Sequence, residues 1–237
     1  VRSGRLMGQL LRRFDRVDES IQVLSLVYPI AKRNNYKEDL KRILNALALA
    51  YTFKANYDKA LEFNFYSLVI RERDGNKNEI SITLNNIGLV YFKLKNYEKA
   101  IEYYKRSLAL KKEVNDFYDL DRLLINLGLC YNQLTGPESK FHEAQGYINQ
   151  ALSICDTACS ELIKIEANFG LGVSYFGQKK WDTAEDYFEK SLSLARAFGD
   201  KRFQAENLVY LGKIDIERDQ FEPAVNHLTE AKALASN

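Results

Sequence analysis

The chain has 237 residues, 46% of them hydrophobic, with three prolines and a formal net charge of +2. That length and apolar content suffice for one large domain or two small ones. The near-neutral charge argues against a nucleic-acid partner held by a strong positive field, and no run approaches the ~20 apolar residues of a membrane span.

Cys130, Cys155 and Cys159 stand beside only two histidines, His142 and His227, and no zinc spacing emerges, so neither a metal nor a cofactor is expected. Charge is uneven: residues 1–120 hold 22 Lys/Arg against 15 Asp/Glu, and residues 121–237 hold 12 against 17. Solvated faces of surface helices account for such a gradient more simply than an oriented partner does. The chain opens at Val1, which reads as a fragment or processed chain; cytoplasmic placement is the expectation, and an extracytoplasmic sensor region the alternative.

Taken in chain order, the sequence repeats itself. The first unit, 1–40, sets a small residue, Gly8, after Met7 and before Leu11, and then Val17, Ser20, Leu24 and Ile30; Pro29 predicts a kink in its second helix. The second, 41–80, reads Leu47, Ala48 and Tyr51, then Tyr57, Ala60, an exceptional Asn64, and Ile70. The third, 81–120, reads Ile87, Gly88, Tyr91, Tyr97, Ala100, Tyr104 and Leu110. The fourth, 121–164, reads Leu127, Gly128, Tyr131, Phe141, Ala144, Ile148 and Ile154, with four extra residues in the stretch TGPESKF after Leu134. The fifth, 165–204, reads Leu171, Gly172, Tyr175, Trp181, Ala184, Phe188 and Leu194. The last, 205–237, reads Leu211, Gly212, Phe221, Ala224, Leu228 and Leu234, with Asp215 breaking the tyrosine series.

Spacings of three, four and seven describe two amphipathic helices per unit. The small residue on the first helix, set opposite Ala100 or its equivalent on the second, is expected to admit a close approach of the two backbones. Asn35, Gly75, Asn115 and Gly199 are the residue types that close a helix in the left-handed conformation, and Cys159 holds the same register without a physical reason.

Small residue, x2, Tyr, then Ala, x3, aromatic resembles the tetratricopeptide repeat, and the resemblance covers essentially the whole chain in six units. It implies an all-α solenoid, a single domain over 1–237 of about twelve antiparallel helices in a right-handed superhelix, with first helices lining a concave groove. The sequence departs from the 34-residue form by replacing the usual closing Pro with Lys32, Glu72, Lys112, Asp156, Arg196 and Ser236, so each second helix runs on.

Helix geometry puts positions 2, 5, 6, 9 and 13 of each unit on the groove stripe. There lie Arg42, Asn45, Asn85, Asn86, Arg122 and Asn126, with Lys93 beside them and Leu49, Leu89 and Leu129 as an apolar floor. An Asn amide both donates and accepts, as an extended peptide backbone requires, and Arg adds charge-assisted donors. This Asn ladder is similar to that of tetratricopeptide domains that clamp peptide backbones, including bacterial peptide-sensing regulators and kinesin-light-chain-like adaptors. The two-carboxylate clamp of chaperone tails is not reproduced, because Asn45 and Leu49 stand where its Lys and Asn belong. The same asparagines also suit hydrogen bonds between neighbouring first helices, and both readings stay open.

No phosphate-cradling Gly loop and no Ser/His/Asp grouping is present, which argues against an enzyme. The expected function is therefore a non-catalytic scaffold holding a protein or peptide partner in the groove, without direct nucleic-acid contact. The alternative is a sensory or regulatory region of a larger bacterial signalling protein, or one that forms a homodimer.

Overall fold

The apolar periodicity is realised as twelve helices, with no strand, in the described residues of a computed structural model: 1–134, 139–154 and 160–236. Cys155, Cys159 and residues 135–138 of the inserted stretch lie outside them. The chain divides into two compact units, Val1–Asp116 and Phe117–Asn237. The first holds α1 (Arg2–Arg13), α2 (Val17–Arg33), α3 (Lys37–Phe53), α4 (Tyr57–Asp74), α5 (Lys77–Lys93) and α6 (Tyr97–Glu113). The second holds α7 (Leu120–Gln133), α8 (Ser139–Ile154), α9 (Glu161–Gly177), α10 (Trp181–Phe198), α11 (Lys201–Glu217) and α12 (Phe221–Ala235). Odd-numbered helices are the first members of each pair.

Helix ends follow from local chemistry. Asn35, Gly75, Asn115 and Gly199 have φ of 52°, 71°, 52° and 82°, as their residue types predict. The turns inside the pairs use the same left-handed step at Asp15, Ala55, Lys95, Lys179 and Asp219, which carry no glycine signal. Each is followed by a backbone N–H that reaches back five residues: Asn56 to the Tyr51 carbonyl, Asn96 to Tyr91 and Lys180 to Tyr175, with Arg16 to Leu11 and Gln220 to Asp215 at the same register, all at 2.8–3.0 Å. Asn56, Asn76, Asn96 and Asp200 then accept an N–H of the next helix's first turn at 2.9–3.3 Å. Pro29 sits within α2, which continues through it to Arg33.

Close packing explains the small residues, and the structure shows which side chains use the space. A Cβ added at Gly88 would lie 2.7 Å from the ring of Tyr104, one turn beyond the expected Ala100, and one added at Gly128 would lie 2.4 Å from Ile148 and 3.0 Å from the Ala144 carbonyl. The missing Cβ thus makes room for a large side chain, and for helix backbone at Gly128. The one unit with Ala48 at this register is the one whose second helix carries the smaller Asn64, a buried residue with neither amide atom hydrogen-bonded. Ala60, Ala100, Ala144 and Ala184 are all fully buried. Replacing Ala100 by Leu is expected to destabilise the fold by about 1–3 kcal/mol through overpacking, as measured by urea denaturation.

The tyrosine row stacks on rings twelve or, across the insertion, sixteen residues later. Tyr51–Phe63, Tyr91–Tyr103, Tyr131–Tyr147 and Tyr175–Tyr187 have centroids 5.4–5.7 Å apart and planes within 19°. Each stack contributes about 0.5–1.5 kcal/mol beyond area burial. In the last pair the stack is replaced by a polar contact: buried Asp215 Oδ2 lies 2.7 Å from Nδ1 of His227, within hydrogen-bond distance.

Candidate functional site

The stripe residues of the first unit come from the middles of α3 and α5, where the helix repeat turns positions 5, 6 and 9 away from the partner helix. Asn86 Nδ2 donates to Asn45 Oδ1 at 2.7 Å, tying α5 to α3. That bond uses one donor and one acceptor of the pair; Asn45 retains its amide N–H groups and Asn86 its carbonyl oxygen. Beside them the Asn85 Oδ1 is buried without a hydrogen-bond partner. A cavity of about 300 Å³ opens between α1 and α3, with Asn45 and Leu49 on its α3 wall. Gln9, Arg12 and Arg13 supply polar groups to the α1 wall, and Leu6 and Leu10 supply apolar surface. Arg42 and Lys93 are exposed and form no ion pair among the described residues.

In the second unit Asn126 is half-buried and Arg122 exposed, both on α7. The helix-to-helix bridge is made elsewhere, by Asn132, which donates to the Gly170 carbonyl at 2.7 Å and accepts from Ser174 at 2.6 Å. The positive charges of Arg122 and of Arg202 on α11 instead act on the carboxyl of Glu166 on α9. Burial pushes the Glu166 carboxyl above the usual carboxylate range; Arg122 and Arg202 pull it back in part, while Asp200 and Glu206 add to the rise. Around it Phe169 meets Phe203 and Tyr210 at 5.6 Å, and Lys213 lies 4.5 Å over the Tyr210 ring.

A carboxyl whose native pKa exceeds its unfolded value weakens the fold when ionised. The penalty is full above the native pKa and disappears as pH falls below the unfolded one. Glu166→Gln is therefore expected to raise the thermal midpoint at pH 7.5, with the gain shrinking toward pH 4; calorimetry across that range checks it.

The sequence put Asn45 and Asn86 on one stripe, and the structure joins them by a hydrogen bond; Arg42 and Lys93, read on that same stripe, lie in the first compact unit, and Arg122 and Asn126 in the second. Sequence reasoning missed Gln9, Arg12 and Arg13, although position 9 of the stripe carries Gln9 and position 13 carries Arg13. It also missed the Asn132 bridge and the Asp215–His227 pair. Burial pushes the Cys130 thiol well up, so it is not a ready nucleophile. Among the described residues no helix is long and apolar enough to cross a membrane.

Comparison with known proteins gives one family and many structures that share its fold. The family model described as Tetratricopeptide repeat matches residues 79–157 and 164–237. No curated protein matches the chain. Among solved structures, aspartyl phosphate phosphatase F from Bacillus subtilis aligns over 99% of this chain and 59% of its own, at 18% identity and TM-score 0.79. The apo form of the quorum sensor NprR from B. thuringiensis aligns over 99% and 64%, at 14% identity and TM-score 0.78. BtubC (BKLC) from P. vanneervenii aligns over 93% and 91%, at 20% identity and TM-score 0.73. At these identities the likeness is one of fold.

Proposed function

Since the chain belongs to the tetratricopeptide-repeat family, a family of interaction scaffolds, we propose that it is a non-catalytic module whose first helices hold an extended peptide or partner segment. The observation that carries this reading is the Asn45–Asn86 pair: bridging the helices spends one donor and one acceptor site and orients the rest. A fixed donor beside a fixed acceptor matches the alternating C=O and N–H of an extended backbone. Leu49 and Leu89, half-buried one turn further along α3 and α5, offer apolar surface to the side chains between. The bridge therefore serves binding by pre-organising it, since side chains already held in place lose less entropy when a ligand arrives.

Peptides selected from a random library on the intact chain provide the test. Asn45→Ala with Asn86→Ala is expected to weaken their binding about tenfold, the scale of one or two net hydrogen bonds, with little change in thermal midpoint because both partners of the bridge are removed together and no core volume is lost. Unchanged affinity in isothermal calorimetry counts against the groove reading.

A further inference from the structure

The α1 wall of the cavity in the first unit carries positive charge with nothing to neutralise it. From Val1 to Phe14 the sequence has Arg2, Arg5, Arg12 and Arg13 and no acidic residue. Arg5 is accounted for, since its Nε donates to Asp39 at 2.9 Å. Arg12 and Arg13, which line the cavity, form no ion pair among the described residues. Arg12 Nε is buried and lacks a hydrogen-bond partner. Its guanidinium lies 5.5 Å from the centre of the Phe53 ring, a cation–π contact that does not satisfy its N–H donors. Burial, and then the charge of Arg13, lower the Arg12 pKa. Both effects mark a cation that is desolvated and repelled where it stands, and a bound anion would relieve both.

The remaining walls define what kind of anion fits. No acidic side chain lines the cavity, Gln9 and Asn45 add neutral donors, and Leu6, Leu10 and Leu49 add apolar surface. A compact inorganic anion would leave those leucines without a partner. We propose that this cavity is a subsite for a carboxylate carried on a short aliphatic stem. The anion sits on Arg12 and Arg13, where planar guanidinium donors match its two oxygens, and the stem lies on the leucines. The subsite rests on the groove reading only in making the natural ligand a peptide, and it gives that peptide an acidic group at the α1 end.

Small acids test the subsite without requiring peptide capture, so its failure and that of the groove reading are separable. The probes are N-acetyl-leucine, whose carboxylate mimics a chain end, and the α-amide of N-acetylglutamate, whose carboxylate is a side chain. N-acetyl-leucinamide and acetate serve as controls. Side-chain Nε–Hε resonances of Arg12 and Arg13 and the methyls of Leu49 are followed by NMR during titration of the whole chain. At least one acid is expected to move all three sets saturably, and which acid does so tells a chain terminus from an acidic side chain. Arg12→Gln with Arg13→Gln is expected to weaken that acid at least tenfold, and raising salt from 50 to 500 mM to weaken it in the wild type. Equal shifts from N-acetyl-leucinamide or from acetate alone would overturn the proposal, as would no shift from either acid, and these comparisons use the wild type alone; equal shifts of the Leu49 methyls in the double variant would overturn it as well.

Discussion

Phe188→Ala is expected to cost about 3–5 kcal/mol of folding free energy, the range for truncating a buried ring. Phe188 is fully buried on α10, stacks on Tyr210 with centroids 4.9 Å apart, and meets Phe169 at 5.9 Å. Its ring also fills the space that Gly172 leaves, since a Cβ there would lie 2.6 Å from it. Truncation removes three contacts at once, and helix backbones already in close approach cannot collapse into the cavity. The coupling has a sign of its own. Gly172→Ala alone overpacks the site, whereas in a Phe188→Leu background the added methyl has room, so the double variant should be more stable than the sum of the singles predicts. Denaturation curves for the four proteins of the cycle decide it; strict additivity would mean that Gly172 and Phe188 do not share the space.

Lys41→Met should destabilise by about 3 kcal/mol, near the lower end for breaking a buried charge pair. Lys41 is 4% exposed, and its Nζ lies 2.8 Å from Glu38, 2.9 Å from Glu79 and 3.0 Å from Asp74. Arg71, equally buried, donates to the Glu79 carbonyl at 2.8 Å and to Thr83 at 3.0 Å in the same cluster. Methionine fills the volume but leaves the carboxylates of α4 and α5 facing one another, although their partial exposure lets water take up some of the loss. Burial by itself would lower the Lys41 pKa; hydrogen bonds with Glu38, Glu79 and Asp74 more than reverse this and raise it. A raised lysine contributes stability that is complete below its unfolded pKa and is lost only as pH climbs through the alkaline native value. The difference between wild type and Lys41→Met should therefore stay constant from pH 6 to 8 and narrow only at strongly alkaline pH, which calorimetry over that range measures.

The helix pairs were legible because their signals are periodic and recur. A left-handed stop at Asn35 or Gly75 is written in the residue type, and a buried Ala every unit follows from two helices in contact. The stops inside the pairs were not legible: Ala55 and Lys95 take positive φ because the surrounding backbone bonds impose it, and neither residue type advertises the conformation. Gly88 was read as a point of close approach opposite Ala100; the structure adds that the atoms nearest its missing Cβ belong to the large Tyr104, one turn further along α6. Asp215 stood out as a break in the tyrosine series. Its reason lay twelve residues away in His227, where the other units place the second ring of a stack, and a scan of paired positions at that spacing would have found it.

The candidate site was half legible. Position along a helix identified Asn45 and Asn86 as neighbours on one stripe, and the structure joins them. Arg12 was missed because it lies off that stripe by helix geometry and reaches the cavity by the length of its side chain, with its guanidinium against Phe53 of α3. In the second unit the bridging role passes from the expected Asn126 to Asn132, nearly two turns further along α7, where the Ser174 hydroxyl and the Gly170 carbonyl present partners.

The central claim is that an extended segment lies along the first helices of the first unit. Photo-crosslinking measures this most directly: p-benzoylphenylalanine is placed either at half-buried Leu89 on α5 or at Val69 on α4, which is 44% exposed on a second helix. A library-selected peptide is expected to form an adduct from position 89 and none from position 69. An adduct from position 69 with none from 89 would contradict the account.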